Sequence, residues 1–371
     1  MTARLEALPP MRTLAALWRL LDARGEGSFF TAWPWIGTWL GVLPPHIEPK
    51  LLSIERGTET HGVAVAVERR VTRHRIVSAR QLHLNATGDA RLDCLTVEHN
   101  GFAGCDPRAP EPWRALIDWL RSDAEVEELC IGGVSDEAAI PSQRRQAIAR
   151  HSVPVQAYRV ELARLAPSGG SLAAVLSANS RQQLRRAMRA FNTYGPLAVE
   201  EAETPEVGLR FFDALKALHI RSWTRRKRPH SFANPLFERF HRTLIGEVAA
   251  RSDVQLLRIT AGDRLIGFLY NFRRGGRIYA YQSGFEDGDA RLRPGYVAHA
   301  LAIEHNYAAG EKIYDFMAGV NRLKQSFATD RYKMEWQVFQ RPLLRFQAEE
   351  LARGARDALR SAVSRLRRAA P

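Results

Sequence analysis

Cysteine is scarce in this chain. Its 371 residues include three, Cys94, Cys105 and Cys130, too few and too scattered for a disulfide framework or a Cys-rich zinc site. The 11 histidines form no H-x-x-x-H, H-E-x-x-H or Cys-paired arrangement, so no metal site is expected. P-loop, dinucleotide-binding and G-x-S-x-G signatures are also missing. The N-terminus lacks the basic, apolar and small-residue pattern of an export signal, and the expected setting is reduced and cytoplasmic. One long stretch, Gly27–Ile47, has no Asp, Glu, Lys or Arg. Pro34, Pro44, Pro45, Gly37 and Gly41 interrupt it, and Trp33, Trp35 and Trp39 punctuate it. It reads as a buried, Trp-rich helix entry rather than a membrane span.

What is present points to a folded protein with an anionic partner. Hydrophobic residues make up 45% and charged residues 25%, too apolar for a disordered chain. At roughly 150 residues per domain, the length suits two domains. The net charge of +14 favours a phosphorylated co-substrate, an acidic substrate, nucleic acid or an anionic membrane.

The first half reads as α+β. A helix over residues 11–23 precedes strands at Lys50–Glu55, Val63–Val71, Gln81–Asn85 and Leu92–Glu98. Then come a helix at Trp113–Ser122, a strand at Glu127–Gly132, a helix at Ser142–His151 and a strand at Gln156–Leu162. Ala166–Gly170, with Pro and two Gly, is the expected linker. Ser177–Phe191 has helical spacing, with Arg181, Arg185 and Arg189 along one face. That face is either solvated or a cationic wall beside an anionic ligand. Helices at 206–221 and 235–250 lead to a meander, Gln255–Thr260, Arg264–Phe272 and Arg277–Phe285, joined by Gly-containing turns. A polar loop then enters a helix at Pro294-Gly295 that stops at Gly310, and Lys312–Met317 is the last strand. No repeat of solenoid length is visible. From Gln347 onward six Arg face three acids beside a narrow apolar stripe. A solvated helix and a helix docked on an anionic membrane both fit that tail.

Three antiparallel strands, a loop entering a helix and a further strand follow the core order of the GNAT acyltransferase fold. Specific pieces match as well: L-S-A-N-S-R at 176–181, F-F-D-A-L-K-A-L-H-I-R-S-W at 211–223, Y-A-Y-Q-S-G-F at 279–285, P-G at 294–295 and Y-D-F-M-A-G-V-N-R-L-K at 314–324. On these, residues 170–328 resemble the acetyltransferase family named for the cellulose-biosynthesis CelD/BcsL proteins, a GNAT branch near the FemAB-type peptidyltransferases. Phe29/Phe30, Trp35 and Trp39, with the L-x-x-E-H-N stretch at 95–100, resemble that family's first domain. The resemblance implies tandem GNAT-like domains, each a mixed, mostly antiparallel sheet flanked by helices. The expected division is 1–166, 167–345 and a basic helical tail, 346–371. Where the family has R-G-D-E-x-Y-K, this chain has A-G-V-N-R-L-K at 318–324.

The resemblance also implies acetyl-CoA or another acyl-CoA as co-substrate, with no permanently bound cofactor. A helix N-terminus offers unpaired N–H groups to the pyrophosphate, which assigns Arg293, Gly295, Tyr296 and Val297 to the donor, with Arg291 adding charge. Thioester transfer needs a base, oxyanion donors and an acid for the thiolate. Asp315, Lys324 and Tyr281 are the catalytic candidates. Asp315 on an apolar strand needs a partner; an Asp315–Lys324 pair could be catalytic, and a structural pair with Lys324 or an Arg fits equally. Tyr281 and Gln282 alternate on one strand, so only one should line the cleft. Arg181, His219, Trp223, Gln282 and Glu98 are the acceptor-side candidates, and Asn100 could reach the same cleft. The expected acceptor is a small molecule or saccharide of the cell envelope. Two alternatives stand: FemAB-type transfer from aminoacyl-tRNA, and a non-catalytic assembly factor at the inner membrane.

Overall fold

The computed structural model describes the chain except residues 25–26, 96, 124, 142–148, 249–252, 287, 289–291 and 353–371. The first half contains β1 (Thr2–Ala7), α1 (Met11–Asp22), α2 (Trp33–Val42), β2 (Pro49–Arg56), β3 (Glu59–Arg73), β4 (Val77–Leu84), α3 (Pro110–Ser122), β5 (Glu128–Ser135) and β6 (Ala149–Glu161). Then follow α4 (Leu172–Val175), α5 (Ala178–Asn192), β7 (Leu197–Glu201), α6 (Pro205–Arg225), α7 (Pro235–Val248), β8 (Val254–Ala261), β9 (Arg264–Arg274), β10 (Arg277–Phe285), α8 (Pro294–Ala308), β11 (Ile313–Ala318), α9 (Arg322–Phe327) and β12 (Asp330–Gln340).

Local chemistry sets the boundaries. Ser177 and Thr204 accept the N–H groups of Ser180 and Val207, capping α5 and α6, as short hydroxyl side chains do at helix starts. Gly310 takes φ +82° after α8, a conformation in which a Cβ would be strained.

The twelve described strands form one sheet in the order β1-β2-β3-β4-β5-β12-β6-β11-β10-β9-β8-β7. The order is a palindrome of two similar units. In the first, strand β1, two helices, the β2–β3–β4 meander, helix α3 and the parallel strand β5 follow one another. In the second, β7, two helices, the β8–β9–β10 meander, α8 and the parallel strand β11 repeat that series. Each unit then gives its final strand to the other. β6 pairs with β11, and β12 inserts between β5 and β6. The GNAT-like architecture is thus built twice and closed by a reciprocal strand exchange.

Several sequence expectations change here. Residues 92–94 of the expected strand Leu92–Glu98 form a turn and Leu95 a bend, because the Asp93 carboxylate accepts the Thr87 and Gly88 N–H groups and curls the chain. Of the expected helix Ser142–His151, residues 149–151 lie in β6 and the others lie outside the described residues. Ala166–Gly170, the expected linker, packs against the second half. It ends a 3-10 helix, and a Cβ on Gly170 would lie 2.7 Å from the Tyr307 ring. A helix spans residues 344–352 of the tail, where the buried Glu349 accepts from Arg73; residues 353–371 are not described. Among the described residues, no helix is long and apolar enough to cross a membrane.

The Trp-rich stretch joins the halves. Phe29 stacks on Phe272 of β9, with ring centroids 4.3 Å apart and planes 8° from parallel. Phe30 meets Tyr279 edge-on, and Trp35 packs against Phe240 of α7. All are buried in one apolar cluster. Phe29→Ala should cost about 3–5 kcal/mol, as large-to-small changes at buried aromatics do. Calorimetry should then show both halves melting together at a lower temperature. Separate transitions, with the second half unaffected, would refute a shared core.

Candidate active site

β10 and β11 run in parallel contact only over Arg277–Tyr279 and Ile313–Asp315. Beyond that point β11 shifts register against β6 between Asp315 and Met317, while β10 bulges against β9 between Ala280 and Gln282. The strands splay. The opening holds a cavity of ≈ 180 Å³ lined by Glu98, Ser231, Phe237, Ala280, Tyr281, Gln282, Phe316, Met317, Ala318 and Lys324. Four expected site residues from distant parts of the chain therefore meet: Glu98, Tyr281, Gln282 and Lys324. That both Tyr281 and Gln282 line it departs from strict alternation along a strand, and the bulge is the reason.

Glu98 enters from the first half and is 4% exposed. Its Oε2 accepts the Ala318 N–H at 2.7 Å. Burial pushes its carboxyl up from 4.5 to about 7, with the Asp315 charge adding to the rise and the Ala318 N–H and Lys324 opposing it. Lys324 donates to the Ala318 carbonyl at 2.6 Å and to that of Met317 at 3.3 Å. Burial lowers its pKa, against the pull of Glu98 and then of Asp315. The cavity thus holds a carboxyl and an amine, both moved toward neutrality and each affecting the other.

Asp315 is in the same cluster but not hydrogen-bonded to Lys324; of the two structural partners left open by the sequence, it pairs with an arginine, Arg277. Its carboxylate, 0% exposed, accepts from Arg277 at 2.7 Å, from Tyr332 at 2.7 and 2.8 Å, from the Met317 N–H at 2.7 Å and from His99 Nε2 at 3.1 Å. Burial alone would raise its pKa. The His99 hydrogen bond, the Arg277 charge and the Tyr332 hydrogen bond together hold it well below the usual carboxylate range. Asp315 is a fixed anion, unsuited to taking a proton near neutral pH. His99, Arg277 and Tyr332 were not singled out from the sequence. The E-H-N stretch was the available signal: His99 has φ +53°, and this left-handed turn sends Glu98, His99 and Asn100 to different places. Asn100 bonds the Leu84 and Gly132 carbonyls and is a structural knot.

The start of α8 lies beside the splay. Arg293, in a left-handed conformation, precedes Pro294. Its guanidinium bonds Gln183 of α5 and lies over the Tyr296 ring. Tyr296 and Val297 are buried, and their N–H groups already donate to the Arg293 carbonyl at 3.0 and 3.4 Å, so the unpaired donors expected at these two positions are engaged. A Cβ on Gly295 would come within 3.2 Å of the Phe285 ring, so this glycine permits helix–strand packing. Arg291 lies outside the described residues. Arg181 is not in the cavity; it donates to the Ala174 and Leu176 carbonyls at the entry to α5. His219 lies outside the cavity as well, and its buried Nε2 has no hydrogen-bond partner. It bonds the Ser283 carbonyl and stacks on Trp223, and neither ring lines the cavity. Among the described residues no cluster of His, Cys, Asp and Glu could hold a metal ion.

The family model of the acetyltransferase (GNAT) domain matches residues 178–334. No curated protein matches the chain. Solved structures with a similar fold include FemX, with TM-score 0.59 and 12% identity over 95% of this chain and 99% of FemX. L-PGS from Bacillus licheniformis gives TM-score 0.52 and 11% identity over 94% and 97% of the two chains. A conserved protein of unknown function from Bacteroides thetaiotaomicron gives TM-score 0.54 and 10% identity over 91% and 100%. At these identities the likeness is one of fold. The domain match, splayed strands and helix order define a GNAT domain in the second half, and the repeated order of elements extends a GNAT-like fold to the first.

Asp315→Asn should destabilise the protein by about 3–5 kcal/mol, because it leaves the Arg277 cation buried without its anion. Urea unfolding measures this. A midpoint within error of wild type would show that the cluster carries no such weight.

Proposed function

We propose that the chain transfers an acyl group from a coenzyme A thioester to an amine or hydroxyl, with Glu98 as general base. The observation carrying this reading is a buried carboxyl, pushed to about 7, beside Lys324 in the splay of β10 and β11. A base is most effective when its pKa lies near the working pH. In the proposed step the acceptor's N–H or O–H proton passes to Glu98 as the nucleophile attacks the thioester carbonyl. An N–H of Lys324 steadies the developing oxyanion. The C–S bond then breaks, and the thiolate takes a proton from the Tyr281 hydroxyl. The bulged edge of β10 would hold the pantetheine arm, and the start of α8 with Arg293 the pyrophosphate. The cellulose-biosynthesis type of acceptor, a saccharide or cell-envelope precursor, is the substrate class that the sequence resemblance supports.

One observation favours a second reading. Arg225, Arg226, Lys227 and Arg228 are exposed at the end of α6, just before Ser231 on the cavity wall. Such a run suits tRNA phosphates and a FemAB-type aminoacyl donor. Calorimetry with CoA, acetyl-CoA, longer acyl-CoAs and aminoacyl-tRNA separates the readings. CoA binding supports the first. Binding of aminoacyl-tRNA alone, weakening steeply with salt, supports the second.

With a cognate acceptor, Glu98→Gln should lower kcat/KM by roughly 100- to 10,000-fold, the range removed with a general base. The rise of the wild-type rate through about pH 7 should vanish with it. A retained rise would assign the base elsewhere. Stability gives an independent check. Folding disfavours the charged form of Glu98, so its contribution is full below about 4.5 and fades as pH rises through about 7. Glu98→Gln should flatten that slope in urea melts, whereas an unchanged slope would mean that Glu98 titrates normally.

A further inference from the structure

The first unit has a splay of its own. β4 and β5 are in parallel register over Gln81–Leu84 and Glu128–Ile131, and α3 connects them as α8 connects β10 and β11. Along one face of the paired stretch and past its end lies a cavity of ≈ 730 Å³, within the roughly 300–1,000 Å³ range of pockets that enclose small molecules. Trp35, Trp39, Leu95, Val97, Val153 and Trp336 form its walls. Trp35 is also the partition from the reaction cavity, its ring 5.9 Å from that of Tyr281.

This second splay is not built for a phosphorylated donor. α3 begins Pro110-Glu111-Pro112. Two of these residues have no N–H and the third is an acid, the reverse of an anion-binding helix start.

The polar groups on the cavity floor are engaged within the protein. His83 bonds Gln81, which donates to Glu128. Asn85 donates to Asn100, and Asp93 accepts from Thr87 and Gly88. A saccharide, with a hydroxyl on nearly every carbon, would find few partners. One acceptor is left over. Gln337 is 4% exposed, its Nε2 donates to Glu335 at 2.7 Å, and its Oε1 has no hydrogen-bond partner. A buried acceptor in that state carries a desolvation cost that a ligand donor would relieve.

We propose that this cavity binds an uncharged aliphatic chain bearing a hydroxyl or amide N–H, the chain lying along the indoles and the donor on Gln337 Oε1. The site is independent of the donor chemistry in the second unit, and its test uses binding alone. Titration of the full chain with 1-decanol should give saturable quenching of tryptophan emission. Methyl nonanoate, of similar length but without a donor, should bind roughly tenfold more weakly. Gln337→Leu should erase that preference. Val153→Arg, at a position 64% exposed, should abolish binding of both without changing the melting temperature. Neither coenzyme A nor N-acetylglucosamine should give quenching that Val153→Arg removes. Absence of saturable 1-decanol binding, binding that survives Val153→Arg, or a Val153-dependent signal from the sugar and not the alcohol would each overturn the proposal.

Discussion

The Asp315 carboxylate is the constraint on which the rest depends. It occupies the last paired position between β10 and β11 and gathers Arg277 from β10, Tyr332 from β12, the Met317 N–H from β11 and His99 from the first half. A buried anion needs this many donors to remain charged. Supplying them fixes where the strands part and brings the turn at His99 against β11. Glu98 is then delivered to the splay as a consequence of its neighbour's anchoring. The fixed charge of Asp315 also bears on Glu98 by raising its pKa. One carboxylate of the cluster is held ionised while another is pushed toward neutrality.

The reciprocal exchange of β6 and β12 gives each unit a stake in the other. Without β6, β11 would have no partner on its outer side, and without β12, β5 would be an open edge. Open edges invite aggregation, so the exchange closes both and places the two splays in one sheet. The units have diverged in chemistry while keeping their geometry. The second has charged groups in a small cavity and Arg293 at its helix start. The first has indoles, a larger volume and a helix start containing two prolines.

Much of this was legible in the sequence because it rests on local pattern. The β8–β9–β10 meander, the helix from Pro294 and the capped α5 and α6 follow from turn and capping residues. Glu98, Lys324, Tyr281 and Gln282 emerged from motifs that resemble a known family. The rest is non-local. β12 has mixed polarity, DRYKMEWQVFQ, because it lies between two strands from the other half, and no local period announces that. The bulge in β10 admits both Tyr281 and Gln282, where alternation predicts one. Arg277, rather than Lys324, became the partner of Asp315 because parallel pairing places their strands side by side. Arg181 and His219 look like site residues by type, yet neither lines the cavity; each bonds a nearby carbonyl through one nitrogen, while Arg181 Nε and His219 Nε2 are buried without a hydrogen-bond partner.

The central claim is that burial holds Glu98 near neutral pH against the opposing pull of Lys324. Carbon-13 NMR of the Glu98 carboxyl, assigned by comparison with Glu98→Gln, tests it without a substrate. In the wild-type protein the resonance should titrate at about 7. In Lys324→Met it should move higher still, because the cation that favours the charged carboxylate is gone. A carboxyl titrating near 4.5 in both proteins would contradict the account.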